Sequence, residues 1–278
     1  MGQANLDEVR RAYAKDMARV SGSPDPRLEQ VFYRVPREAF LPPGPWKVLV
    51  EGRFVETPSS DPAHVYQNAA IALDARKGIN NGEPYLHAIW IGAVAPQPGE
   101  IITQIGLGMG YYTAILSLLV LPGGQLTGFE IDRDLAETAR RNLATYENVS
   151  IVVGDATSLD IPPSDLIYVS AAVVEPPEQW LTALRPGGRL IFPWRPTAEV
   201  ALAMVAKRLT EGFEARPLMS SWFIPCAGAS SHKGNSLAPN PSTARRIQSL
   251  HLSRVRAPDD GAIAIYEHCW FSSAKVSA

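Results

Sequence analysis

The chain has 278 residues, of which 46% are hydrophobic and 19% are charged. This composition excludes a disordered chain, because disorder requires low hydrophobicity and high net charge. The formal net charge is −2, from 26 basic and 28 acidic residues. The chain therefore lacks the basic excess that is typical of general nucleic-acid or anionic-membrane binders.

Cysteine usage and the apolar runs indicate a cytoplasmic protein. The two cysteines, Cys226 and Cys269, have no metal-ligand spacing and cannot form a disulfide framework. No basic and apolar leader opens the sequence, and the longest apolar run, residues 114–121, is far below the roughly 20 residues that span a bilayer. We expect neither a membrane nor a nucleic-acid partner.

Helices come first along the chain, and then helices alternate with strands. The hydrophobic periodicity predicts helices over residues 6–20, 27–33, 84–94, 110–120, 135–146 and 177–184. It predicts strands over residues 100–105, 126–131, 149–153, 165–169, 189–193, 200–207, 216–224, 247–255 and 262–271. Such alternation implies right-handed crossovers and an α/β fold with a mostly parallel sheet.

A glycine loop, Gly106-Leu107-Gly108-Met109-Gly110, lies between a predicted strand and a predicted helix. A tight turn alone would account for such a loop, so the glycines are weak evidence for a ligand. Two acids strengthen the case, since Glu130 ends the next strand and Asp155 follows the third. At strand ends, one acid can accept hydrogen bonds from ribose hydroxyls and the other from an adenine amine. We therefore predict an adenosine site.

The ligand that this loop suits has no pyrophosphate. A dinucleotide fingerprint would place glycine at position 111, where the chain has Tyr111, and no phosphate-binding G-x-x-x-x-G-K motif is present. The G-x-G-x-G pattern resembles the loop of class I S-adenosylmethionine-dependent methyltransferases.

More of the chain resembles one family in that class, the protein-L-isoaspartate O-methyltransferases. Residues 35–42 (V-P-R-E-A-F-L-P) match the family signature V-P-R-E-x-F-x-P, and residues 184–193 match its L-x-x-G-G-R-L-V-x-P segment. The resemblance covers roughly residues 27–226. It implies a Rossmann-like class I methyltransferase fold with a seven-stranded, mostly parallel sheet, N-terminal helices and a β-rich C-terminal extension. It also implies that the cofactor is S-adenosyl-L-methionine, bound by Gln104, Gly106, Leu107, Gly108, Glu130, Ile131, Asp155 and Ala156.

The chain departs from the family in the segment before the cofactor loop. The family carries G-Q-T-I-S-x-P there, with hydroxyls in its active site, and this chain has G-I-N-N-G-E-P over residues 78–84. Asn80 replaces the Thr, and Gly82 replaces the Ser. Gln104 also stands where the family has Glu. We therefore predict a methyl acceptor other than the standard isoaspartyl residue, either a peptide carboxylate or a small molecule. Genuine isoaspartyl repair and a non-catalytic cofactor-binding relative are the alternatives.

Three residues are candidates for the reacting site. His87 can act as a base, line the cofactor pocket or serve only in helix packing. Asn80 and Asn81 can bind a substrate carboxylate or amide, or can simply form the turn before Gly82.

Four tryptophans, Trp180, Trp194, Trp222 and Trp270, can line an acceptor pocket, but such residues are more often core.

Three segments are predicted along the chain. Residues 1–98 form a helical segment on the substrate side, residues 99–228 the cofactor-binding core, and residues 229–278 an extension. The extension could cap the sheet, cover the substrate or mediate a homodimer.

Overall fold

A computed structural model describes residues 5–231 and 237–276. The chain divides into two compact units. The first joins residues 1–100 to residues 107–153, and the second joins residues 101–106 to residues 154–278. The three-segment division given above stays a prediction, and each unit is described by itself.

The helices agree closely with the predicted ones. The α-helices of the described residues are α1 Leu6–Val20, α2 Arg27–Arg34, α3 Pro84–Val94, α4 Tyr111–Leu119, α5 Arg133–Asn142, α6 Glu178–Ala183 and α7 Pro241–Ala244. Two short 3-10 helices cover Arg37–Phe40 and Pro62–Val65.

The strands include several that periodicity did not indicate. In the same described residues they are β1 Lys47–Val50, β2 Arg53–Glu56, β3 Ala72–Asp74, β4 Ile79–Asn80, β5 Ile101–Ile105, β6 Gln125–Glu130, β7 Val149–Val153, β8 Ser164–Val169, β9 Leu184–Trp194, β10 Leu202–Arg208, β11 Phe213–Ser220, β12 Ser249–Leu252, β13 Ala262–Ile265 and β14 Cys269–Ser272.

The first unit contains α1 to α5 and three short strand pairs. Strands β1 and β2 form one hairpin and β3 and β4 another, while β6 and β7 pair in parallel from Leu126↔Val149 to Glu130↔Val153. Helix α3 begins at Pro84, where the missing N–H of proline costs nothing and its fixed φ suits the first turn. Helix α5 begins after Asp132, whose carboxylate accepts hydrogen bonds from two backbone N–H groups of the first turn.

The second unit contains one mixed sheet with the strand order β13-β14-β12-β11-β10-β9-β8-β5. The pairings of β5 with β8 and of β8 with β9 are parallel, and the other pairings are antiparallel. The C-terminal extension therefore lengthens the sheet beyond β11. Trp194 and Phe271 are both fully buried and lie with their ring centroids 4.7 Å apart, so the extension shares a core with β9.

The α/β class is confirmed, but some details of the prediction need correction. Seven strands is too few, because the sheet of the second unit alone has eight. Pro186 and the two glycines after it do not separate a helix from a strand at residue 189, since β9 already begins at Leu184. Residues 41–63, for which no strand was predicted, contain the β1–β2 hairpin, and the strand predicted over 262–271 is two antiparallel strands.

Among the described residues, no helix is both long enough and apolar enough to cross a bilayer.

Candidate functional site

The glycine loop makes a turn that other residues would adopt only with strain. Gly106 and Gly108 have φ values of 75° and 59°, in the left-handed region that side-chain-bearing residues rarely adopt. In the first unit, the backbone N–H of Gly108 donates a 2.8 Å hydrogen bond to Oε2 of Glu130. The structure thus brings together two of the predicted cofactor residues.

Glu130 ends β6 and is only 7% exposed. Its other oxygen, Oε1, accepts a 3.0 Å hydrogen bond from the backbone N–H of Asp132. Burial raises the pKa of Glu130, while the N–H groups of Asp132 and Gly108 act in the opposite direction. Each carboxylate oxygen keeps a second acceptor position, so the side chain can still receive two hydroxyl groups.

Ile131 differs from its neighbours because its side chain is 53% exposed, directly after the buried Glu130. An exposed apolar residue at a strand end suits the flat face of a nucleobase. Leu107, in contrast, is 5% exposed and packs against Gly128, so its side chain belongs to the core and only its backbone is accessible to a ligand.

In the second unit, Gln104 lies on β5 and is 1% exposed. Its Oε1 is a buried acceptor with no hydrogen-bond partner among the described residues. Such an atom costs free energy unless a ligand supplies a donor. The ammonium group of a methionine moiety is a donor of that kind, and Gln104 can receive it although it lacks the charge of Glu.

The loop after β7 also belongs to the second unit and is held by internal hydrogen bonds. Oδ1 of Asp155 accepts a 2.8 Å bond from the N–H of Thr157, and the carbonyl of the buried Ala156 accepts bonds from the side chains of Gln179 and Trp180. No hydrogen bond from the described residues reaches Oδ2 of Asp155, which is therefore available to an amine. These residue types fit an S-adenosyl group, and their contacts with it remain a proposal.

The altered segment of the first unit is held by hydrogen bonds between side chains and backbone. Oδ1 of Asn80 accepts a 2.9 Å hydrogen bond from the N–H of Gly82, which makes Asn80 a turn-forming residue. Oδ1 of Asn81 accepts a 2.8 Å bond from the N–H of Ile71 and a longer one from Arg37. Because both donors fix the amide orientation, Nδ2 of Asn81 faces the other way, and it is a buried donor with no partner among the described residues.

His87 explains why a hydroxyl-bearing side chain is absent at position 82. A Cβ added to Gly82 would lie 2.3 Å from Nε2 of His87, and the φ of Gly82 is 71°. His87 is 2% exposed, and its ring stacks on Tyr112 with centroids 3.7 Å apart. Burial, followed by the nearby charge of Arg37, lowers the pKa of His87 to about 3.

Two features of the first unit were missed in the sequence. Arg37 is fully buried, and its guanidinium donates hydrogen bonds to the carbonyls of Val65, Gln67 and Ala69. The signature V-P-R-E-x-F-x-P contains this arginine, but a motif match carries no information on burial.

The β3–β4 hairpin is the second missed feature, and it lies beside the glycine loop. Leu73 lies 3.0 Å from the position of a Cβ on Gly108. Lys77 pairs with Asp132 at 2.5 Å.

The four tryptophans differ in burial, and the sequence did not indicate which of them is exposed. Trp180, Trp194 and Trp270 are fully buried, whereas Trp222 is 63% exposed. The expectation of a core residue is therefore wrong for Trp222.

Comparison with known proteins identifies the family. The model of the family described as protein-L-isoaspartate(D-aspartate) O-methyltransferase matches residues 19–231. The chain belongs to this family. It is an S-adenosylmethionine-dependent methyltransferase. The family signature and the glycine loop, which the sequence singled out, both lie inside the matched region.

Individual relatives give the same result. The chain is 32% identical to a protein-L-isoaspartate O-methyltransferase of Methylorubrum populi over 73% of this chain and 88% of that protein. It is 31% identical to one of Aeropyrum pernix over 73% of each chain. A solved protein-L-isoaspartate O-methyltransferase shares the fold with a TM-score of 0.68 at 22% identity, covering 94% of this chain and 86% of that one.

A Plasmodium falciparum protein solved in complex with S-adenosyl-L-homocysteine also shares the fold. Its TM-score is 0.62 at 17% identity, over 78% of this chain and 97% of that chain.

The Arg37→Met variant should lower the free energy of unfolding by about 3 kcal/mol, because three buried carbonyls lose their donors. Urea denaturation monitored by circular dichroism measures the change. Arg76→Met is the matched control, since the Arg76 side chain is 93% exposed, and its effect should stay within about 0.5 kcal/mol. Equal effects of the two variants would contradict the role assigned to Arg37.

The depressed pKa of His87 predicts a pH dependence of stability. The folded state binds the proton near pH 3, while an unfolded histidine binds it near pH 6.5, so the unfolded state holds more protons between those values. The free energy of unfolding should therefore fall as the pH drops below about 6.5. Between pH 7 and pH 5 the wild type should lose about 2 kcal/mol more than His87→Phe, which cannot titrate. If the free energy of unfolding fell with pH by the same amount in the two proteins, His87 would not be a buried neutral imidazole.

Proposed function

We propose that this protein transfers a methyl group from S-adenosylmethionine to a free carboxylate of a polypeptide, with the isoaspartyl residue, whose α-carboxylate is free, as the first candidate. The proposal replaces our expectation of a non-standard acceptor, because the named relatives are protein-L-isoaspartate O-methyltransferases. A small-molecule acceptor and a homodimer have no comparable support.

The state of His87 carries the argument for a carboxylate. A hydroxyl or amine acceptor has to lose a proton, and the base that removes it works best with a pKa near the operating pH. A histidine whose pKa is about 3 is a weak base at pH 7, and the ring is stacked on Tyr112. A carboxylate is already ionised at neutral pH and requires no base. The buried, neutral His87 therefore favours an acceptor that is ionised before it binds.

In this proposal the amide of Asn81 takes the place of the hydroxyl groups that the family carries in this segment. Its unpartnered Nδ2 carries two hydrogens and lies in the segment that corresponds to the family's hydroxyl segment. A hydrogen bond from a neutral amide to a carboxylate is charge-assisted and stronger than a neutral one. We assign Asn81 to hold the acceptor carboxylate, and we assign Asn80 and His87 to support the turn and the helix that position it.

The remaining residues hold the cofactor. When bound, S-adenosylmethionine supplies a sulfonium-activated methyl group. Glu130 would accept hydrogen bonds from the ribose hydroxyls, Asp155 from the adenine amine and Gln104 from the ammonium group. Since the carboxylate needs no activation, these residues contribute by keeping acceptor and methyl group in line at close range.

Methyl transfer to a pair of peptides tests the acceptor. The purified protein is incubated with methyl-labelled S-adenosylmethionine and either an isoaspartyl peptide or the same peptide with normal aspartate. We expect base-labile label on the isoaspartyl peptide only. If neither peptide is labelled while calorimetry shows cofactor binding in the same sample, the acceptor assignment is wrong and the methyltransferase assignment remains.

The Glu130→Ala variant should raise the dissociation constant for S-adenosylhomocysteine about tenfold or more, because charge-assisted hydrogen bonds to the ribose are lost. Isothermal titration calorimetry measures this constant. Glu137→Ala, which removes an exposed acid from α5, is the control and should leave it unchanged. Unaltered affinity in Glu130→Ala would remove Glu130 from the cofactor site.

The Asn81→Asp variant should lower kcat/KM for the isoaspartyl peptide by about 10- to 100-fold. It keeps an acceptor oxygen for the N–H of Ile71 but replaces the donor with a second negative charge. Steady-state methylation assays give the value. Asn68→Asp, the same change at an exposed asparagine whose oxygen accepts from Tyr85, should stay within about twofold of wild type. Retention of activity in Asn81→Asp would exclude the amide as the carboxylate ligand.

A further inference from the structure

An exposed tryptophan and an arginine stack on each other in the second unit. The side chain of Trp222 is 63% exposed, and the guanidinium carbon of Arg195 lies 4.7 Å from the centroid of its ring. Tryptophan, which combines a large apolar ring with a polar N–H, is enriched at interfaces. Arg195 directly follows the last residue of β9, and Trp222 follows β11 by two residues.

Backbone hydrogen bonds fix both residues at the carboxyl end of β8 and β9. The N–H of Arg195 donates a 2.8 Å bond to the carbonyl of Val173, just beyond β8. The segment after Trp222 runs beside the same stretch, because the N–H of Ala172 donates to the carbonyl of Ile224 at 2.8 Å. Ligands of open α/β sheets bind at this end of the parallel strands.

Among the described residues, no acid pairs with the guanidinium of Arg195. No carboxylate of the described residues lies within 4.0 Å of it, although other arginines of the chain pair with acids, such as Arg254 with Glu178. The cation–π contact places the guanidinium beside the indole, and a guanidinium presents its N–H groups in a planar fork that suits a carboxylate. The indole beside it offers an apolar surface to which peptides of many sequences can bind.

We propose that Arg195 and Trp222 form a contact for the acceptor polypeptide and select peptides that carry an acidic residue besides the methylated one. This inference rests on the proposed function, since it takes the acceptor to be a polypeptide. Charge complementarity decides the occupant: the unpaired cation favours an acidic peptide, and the net charge of −2 disfavours a nucleic acid.

Two isoaspartyl peptides of equal length test the selection, one with glutamate and one with glutamine at the flanking positions. The wild type should have a kcat/KM about fivefold higher for the glutamate peptide, the size expected for one partly exposed ion pair. Arg195→Gln should abolish this preference and leave kcat/KM for the glutamine peptide within about twofold. Trp222→Leu should raise KM for both peptides without changing kcat.

Controls separate charge, stacking and folding. Arg246→Gln removes an exposed arginine elsewhere in the second unit and should keep the preference. Arg195→Lys keeps the charge without the planar fork and should keep a smaller preference. Equal kcat/KM for both peptides in the wild type, or a preference that persists in Arg195→Gln, would overturn the inference. So would a wild-type dimer that Trp222→Leu converts to a monomer in sedimentation, because the surface would then belong to a second copy.

A binding measurement distinguishes failure of this inference from failure of the proposed function. Fluorescence anisotropy with labelled peptides that contain only normal aspartate or asparagine requires no methyl transfer. Tighter binding of the acidic peptide to wild type than to Arg195→Gln would support the surface even if no isoaspartyl peptide is methylated. Equal binding of both peptides alongside normal methylation would reject the surface and leave the function intact.

Discussion

The first unit depends on one buried cation. Arg37 lies in a 3-10 turn, is fully buried and donates to the carbonyls of Val65, Gln67 and Ala69. Val65 ends a short 3-10 helix, and Gln67 and Ala69 lie in the irregular stretch that follows it. A guanidinium satisfies several of these carbonyls at once, because its N–H groups point in fixed directions. The same group reaches Oδ1 of Asn81, so the buried cation also sets the orientation of the amide that we assign to the acceptor.

This arrangement also places a positive charge near His87. Protonation of the imidazole would put a second cation into the same buried region, and desolvation opposes that charge even more strongly. The neutral ring can then stack closely on Tyr112 and against Gly82, which has no side chain to interfere. The missing hydroxyl at position 82 is thus a matter of packing as well as of chemistry.

Long elements with strong periodicity could be predicted from the sequence, and elements that depend on distant partners could not. Helices α1 and α3 were predicted to the residue, because an apolar face with clear capping or proline signals is a local property. The start of β9 at Leu184 was missed, since the proline and glycines after it read as a break although the neighbouring β8 pairs with this stretch. The order of the antiparallel strands beyond β9 also depends on distant pairing, for example of β11 with β12.

The residues of the candidate site also differ in whether the sequence alone could predict them. Glycines and acids at strand ends were recognisable, because their positions follow from the order of strands along the chain. The conformations of Asn80 and Asn81 could not be recognised from the sequence, since each depends on which backbone N–H reaches its side-chain oxygen. For Trp222 the sequence offered only a composition argument, and burial is decided by the packing of the whole unit. The unpaired atoms of Gln104 and Asn81 likewise became visible only when their neighbours were placed.

The contact between Lys77 and Asp132 makes one attachment of the β3–β4 hairpin sensitive to ionic strength. Lys77 is 53% exposed, and an ion pair of this kind contributes at most about 1 kcal/mol and is weakened by salt. The hairpin that carries Lys77 also places Leu73 beside Gly108 of the glycine loop. The base of the hairpin is held more firmly, since Asn81 and Ile71 are joined by backbone and side-chain hydrogen bonds. Salt can therefore loosen the tip of the hairpin beside the glycine loop while its base stays in place.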